Sequence, residues 1–252
     1  MGPARVGTVL LVTVMVSAGC THTVAGNVVG APDLTRRPLS AEAIQQVPLD
    51  GTELLKILGQ NLMQHDAPAA GGVDQLFDAK AVVSPADCVG LAEVLQKKVY
   101  QDAQVKGFAA QTWLTNGEPG KVMLVEQGVV ALPTAGQADA LFGKFATQWQ
   151  GCAGGTVTEV SGPVITTDSV GDVQVGDDLI ATTITQNVNA PNMPPLLPNK
   201  LSRALGLALN CIIETQVVFF TGRHASDPGT ADPDTSGAEL VQAMGRKIDD
   251  LG

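Results

Sequence analysis

Histidine is scarce in this chain. Among 252 residues there are three, His22, His65 and His224, and their spacing suggests neither a zinc site nor a Ser–His pair. The Gly-x-Ser-x-Gly turn of serine hydrolases and the His-Glu-x-x-His helix of zinc proteases are missing. No catalytic residue, metal ligand or cofactor is therefore expected. Positive charge is also short, with 15 Lys and Arg against 25 Asp and Glu and a formal net charge of −10. The tight basic pairs, Arg36-Arg37 and Lys97-Lys98, do not make the concentrated patch a phosphate backbone needs, so nucleic acid is not an expected partner. The acidic stretch 227–234 lacks the order of a calcium loop and reads as solvated surface.

Long apolar runs are missing too. The one near the N-terminus, residues 6–16, is about half the ~20 residues a membrane span requires. It follows Arg5 and leads into Ser17-Ala18-Gly19-Cys20, the order of a lipoprotein signal peptide. The expectation is a signal peptide at 1–19, acylation of Cys20, and a lipid-anchored tether over 20–39. Two or more acyl chains anchor stably where one does not. A folded domain over 40–252 would then stand on the extracytoplasmic face of the cell membrane, with the membrane as one partner.

Periodicity predicts short helices at 40–46 and 50–62, a loop at 66–72, and a helix opening at Ser84-Pro85-Ala86-Asp87. On that helix Cys88, Leu91, Ala92, Leu95 and Val99 share a face. A hairpin over 107–115 and 121–132 surrounds the turn-rich run 116–120. A helix over 135–150 carries Leu141, Phe142, Phe145 and Trp149 in one stripe. Strands are expected at 156–161, 172–175, 179–188 and 211–220, with a Pro-rich connection at 190–199 and a last helix at 237–251. This order argues for an α+β domain, helices packed on a mostly antiparallel sheet.

With Cys20 acylated, Cys88, Cys152 and Cys211 remain, and an oxidising compartment favours one disulfide. Cys88–Cys152 is the first pairing, since both lie at core-facing helix edges; Cys152–Cys211 is the second. Trp113 and Trp149 either line a ligand cleft or fill the core. Arg203 either anchors an anion or pairs with a structural acid.

Several runs together carry a resemblance: Pro85-Ala86-Asp87-Cys88, Gln111-Thr112-Trp113, Trp149-Gln150-Gly151-Cys152 with Thr156-Val157-Thr158, and Arg203-Ala204-Leu205 with Asn210. Over residues 40–251 the chain resembles the PknH-like extracellular domain, the sensor domain of a mycobacterial serine/threonine kinase that also occurs alone in lipoproteins. The resemblance implies an α+β fold with a ligand cleft. It also implies a second disulfide, whose positions fall here at Leu201 and Val218, so that bridge is not expected. Three functions follow as expectations: a sensor-like module for an unidentified small-molecule or envelope ligand, a lipid or glycolipid carrier, and an envelope hydrolase. A carrier needs a large apolar cavity, a module a more polar cleft, and a hydrolase convergent titratable residues. Oligomeric state is not legible.

Overall fold

Alternating side chains from Gly107 to Ala131 build a long hairpin towards one side of the sheet, in a computed structural model that describes residues 37–78, 80–194, 196–222 and 227–252. The signal peptide, Cys20, tether residues 20–36, His22 and His224 lie outside the described residues. In chain order the elements are α1 (Gly51–Leu58), β1 (Leu62–Gln64), β2 (Ala69–Gly71), β3 (Val82–Ser84), α2 (Val89–Ala92), α3 (Lys97–Tyr100), β4 (Gly107–Thr115) and β5 (Val122–Ala131). Then come α4 (Ala135–Cys152), β6 (Thr156–Ser161), β7 (Val164–Val170), β8 (Gln174–Val175), β9 (Leu179–Asn189), β10 (Asn199–Ala208), β11 (Cys211–Phe219) and α5 (Ser236–Leu251).

The strands form one antiparallel sheet in the order β1-β4-β5-β11-β10-β9-β7-β6-β3, with β2 paired to β4 and β8 to β9. Successive side chains point to opposite faces, so the sheet carries two apolar layers. On one face Phe108, Val130, Ile184, Leu201, Leu205 and Ile212 pack with α4 residues Phe145 and Trp149. On the other, Ala109, Val125, Ala204, Ile213 and Val217 pack with Leu54 of α1 and Leu240, Met244 and Ile248 of α5. The result is the expected α+β arrangement of helices on a mostly antiparallel sheet.

Local chemistry fixes the helix starts. Asp50 accepts from Thr52 N and Glu53 N, while the Glu53 side chain accepts from Asp50 N, a reciprocal capping box. Thr134 Oγ1 accepts from Gln137 N at the start of α4. The folded part includes Leu39, which is buried. Its N–H donates to Asn210 Oδ1 at 2.7 Å and its carbonyl accepts from Asn210 Nδ2 at 3.2 Å.

The helix predicted from Ser84 to Val99 is not continuous. Ser84 ends β3, a short 3-10 turn covers Ala86–Cys88, and α2 stops at Ala92. Glu93 is then extended, and Leu95 sits in the left-handed region at φ 53° before α3 begins. The carbonyls a continuous helix would use internally are taken from outside. Arg203 donates to those of Gly90, Leu91 and Glu93, and Phe77 N donates to Leu95 O. The strand expected at 172–175 is present only as Gln174–Val175, while β1, β3, β7 and β10 form where no strand was expected and β2 forms inside the expected loop 66–72. The span 199–208 holds no β-branched residue, and pairing with β9 and β11 on both sides overrides that weak propensity. No described helix is long and apolar enough to cross a membrane.

Candidate binding site

A disulfide between Cys88 and Cys152 ties the last turn of α4 to the start of the 88–100 segment, leaving Cys211 as a buried free thiol. One turn back on α4, Trp149 is buried with its ring centroid 5.1 Å from Arg203 Cζ, a cation–π stack. The structure thus brings two of the residues singled out from the sequence together. Trp113 does not join them: it faces the opposite layer, its Nε1 donating to Gln111 Oε1 at 3.2 Å.

Arg203 is 0% exposed, and its fork is fully committed. Nε donates to Leu91 O, Nη1 to Ala204 O and Thr215 O, and Nη2 to Gly90 O and Glu93 O. Nη2 also pairs with Glu214 Oε2, while Tyr100 Oη donates to Glu214 Oε1 at 2.5 Å. Burial, then the charge of Glu214, holds the Tyr100 phenol well above its ordinary range. Arg203 is therefore the clamp that shapes the broken 89–100 segment, with no donor left over for a ligand.

Around this clamp lies a second group of charges on the same sheet face: Glu93 beyond α2, Glu126 on β5, Glu159 on β6 and Asp168 on β7. Glu93 Oε2 accepts from Gln96 Nε2 and Glu126 Oε2 from Gln216 Nε2, each at 3.0 Å. Asp168 is 0% exposed, and neither of its oxygens meets a donor in hydrogen-bond geometry, although Gln186 and Glu159 stand close enough to bias its ionisation. Among the described residues the other buried polar side-chain atoms without a partner are Trp149 Nε1 and Gln216 Oε1, again on this face. Such groups are rare in folded proteins, and here they share one sheet face with the four carboxyls.

Burial raises the Asp168, Glu126 and Glu159 carboxyls above their ordinary range. Glu159 is pushed up to about 9, first by burial, then by its hydrogen bond to Glu93 and the charges of Glu93 and Asp168. A carboxyl whose pKa is higher in the folded than in the unfolded state stabilises the fold below the unfolded value, and that contribution is lost as pH rises toward the folded value. For Glu159 the window runs from about 4.3 to about 9. Glu159→Gln should therefore raise the melting temperature at pH 8 by about 2–4 °C, the shift of roughly 1 kcal/mol in a domain of this size. At pH 4.5 it should leave the melting temperature nearly unchanged. A thermal melt at both pH values checks this; equal shifts would contradict it.

A separate cleft of about 780 Å³ opens between the first turn of α4 and α5. Asp139, Asp178, Arg246 and Asp249 share its lining with Leu207 and Leu209. No group of three or more His, Cys, Asp or Glu side chains among the described residues is arranged to hold a metal ion. Sequence reasoning passed over Glu93, Glu126, Glu159 and Asp168. One signal was available: Glu126 in VMLVEQGVV and Glu214 in CIIETQVVF each place a charge in the middle of a strand whose two ends are apolar.

Residues 39–247 match the family model of the PknH-like extracellular domain. Serine/threonine-protein kinase PknH of Mycobacterium tuberculosis is 32% identical over 124 residues, 48% of this chain and 19% of the kinase. PknH of Mycobacterium bovis matches with the same identity over 20% of its length. The matched stretch thus spans about a fifth of these curated relatives. The crystal structure of the extracellular domain of PknH from M. tuberculosis aligns with a TM-score of 0.68, covering 85% of this chain and 99% of that one. Identity there is 19%, so the likeness is one of fold.

Proposed function

This chain belongs to the family of PknH-like extracellular domains, and from that premise we propose that it is a sensor-like ligand-binding module, held by lipid on the outer face of the cell membrane. The observation that carries the binding reading is the grouping of unpartnered buried polar atoms, on Asp168, Gln216 and Trp149, with half-buried carboxyls on one sheet face. A fixed scaffold surrounds them: the disulfide and the Arg203 clamp hold the 88–100 segment over the sheet. The order Ser17-Ala18-Gly19-Cys20 after an apolar run supports the anchor. The mixed lining of the clefts and the charged face suit a polar ligand better than acyl chains. The protein is a receiver in this reading, not an enzyme.

Native mass spectrometry of the mature protein, purified from its own envelope in mild detergent, tests both parts. The expected spectrum shows a chain starting at an acylated Cys20 and a bound polar molecule that leaves on denaturation. A chain without lipid would remove the anchor. An empty wild-type protein that also takes up nothing from an envelope extract would remove the binding function.

A further inference from the structure

On the sheet face that carries α5, the 780 Å³ cleft is not isolated. It shares Asp178, Leu179 and Gln242 with a second cleft of about 640 Å³ between β8 and the first turns of α5. The second in turn shares Gln174, Ala181 and Asp234 with a third of about 320 Å³. Together they make one groove along α5, from Asp234 just ahead of the helix to Asp249 in its last turn. A helix of 16 residues rises about 24 Å, a span that an extended chain covers with about seven residues. Buried Ile213 and Val241, with half-buried Leu179, Leu207 and Ala238, give the groove an apolar floor. Exposed acids stand around it: Asp139, Asp172, Asp178, Asp234, Glu239 and Asp249. Against them the described lining holds a single cation, Arg246.

The groove's length, floor and charge together define what fits it. None of Asp139, Asp172, Asp178, Asp234 and Glu239 enters an ion pair among the described residues. Asp234 and Glu239 each accept one hydroxyl, from Thr183 Oγ1 at 2.8 Å and from Thr235 Oγ1 at 3.1 Å, so their charge is not cancelled. A cleft lined by one sign of charge over apolar walls concentrates the opposite sign. Charge also sorts the occupants. A second copy of this chain brings the same excess of acid, a net −10, and is repelled. The chain's own segment 20–36 has Asp33 and Arg36 as its only charged residues, so it supplies no surplus of positive charge. We propose that this groove docks an extended segment of a partner protein in which basic residues alternate with apolar ones. Alternate side chains of an extended segment point to opposite sides. The apolar set then meets the floor, while the long stems of lysine or arginine carry their charges to the acidic rim. The groove lies on the opposite sheet face from the carboxyls around Asp168, so the proposal does not depend on a ligand binding there.

Fluorescence anisotropy on the full mature protein tests the groove with two labelled, blocked heptapeptides at matched ionic strength. One alternates lysine with leucine, the other lysine with glycine. The lysine–leucine peptide should bind saturably at one site per chain. The lysine–glycine peptide carries the same charge and should bind at least fivefold more weakly, because it offers nothing to the floor. Asp178→Lys and Gln242→Trp, at two residues shared by the larger clefts, should each weaken binding at least tenfold with unchanged circular dichroism. The first reverses a charge on the rim; the second fills the groove and leaves the net charge alone. Asp66→Lys makes the same change of charge at an exposed acid between β1 and β2, outside the groove, and should stay within twofold of wild type. Both Asp178 and Gln242 are exposed, so either variant keeps the test open if the other fails to fold. Four results would each overturn the docking site: no saturable binding, equal affinity for the two peptides, undiminished affinity in Gln242→Trp, or an equal loss in Asp66→Lys.

Discussion

Cys88→Ser should lower the melting temperature by about 8–16 °C. The bridge joins residues separated by 64 positions, and in the chain-entropy model closing a loop of that length contributes about 4 kcal/mol. For a domain of this size each kcal/mol shifts the midpoint by about 2–4 °C. The effect acts largely through the unfolded chain, so reduction of the wild type should reproduce it and should add nothing to the variant. Cys211→Ser is the control. Its thiol is buried and pushed up to about 12 by that burial, and it takes no part in the bridge. A Cys88→Ser midpoint within 2 °C of wild type would mean the bridge does not constrain the fold as described.

Arg203→Met should be comparably severe. It leaves Glu214 buried without its cation and strips donors from the carbonyls of Gly90, Leu91, Glu93 and Thr215. Breaking one half of a buried ion pair costs about 3–5 kcal/mol, most of it the penalty of the abandoned charge. The double variant Arg203→Met with Glu214→Gln removes that charge while leaving Tyr100 an oxygen to donate to. It should be more stable than the single variant by at least about 1 kcal/mol in denaturant unfolding, the size expected for coupled neighbours. If the two changes simply add, Arg203 and Glu214 are not the coupled clamp described here.

The sequence made some parts of this fold legible and hid others, for reasons visible in particular residues. The β4–β5 hairpin alternates cleanly between Phe108 and Ala110 on one face and Ala109 and Trp113 on the other. α4 and α5 carry apolar stripes with the helical period, so each appeared within about two residues of its observed span. β10 was hidden because its Leu, Ala and Gly residues fit helix or loop as readily as strand, and only its neighbours decide. The 84–99 segment misled in the opposite direction. Its apolar spacing is helical, but Arg203, more than a hundred residues away, claims its carbonyls. The carboxyl group around Asp168 was not legible for a similar reason. Its members come from a loop and three strands, and no local spacing unites them.

Hydrogen exchange read by mass spectrometry over residues 93–100 and 165–170, with and without a small-molecule extract of the envelope, tests the central claim most directly. The account predicts that the extract slows exchange in both segments of the wild type and not in Asp168→Asn. Unchanged exchange in the wild type, or equal slowing in the variant, would show that this face is not where the domain receives its ligand.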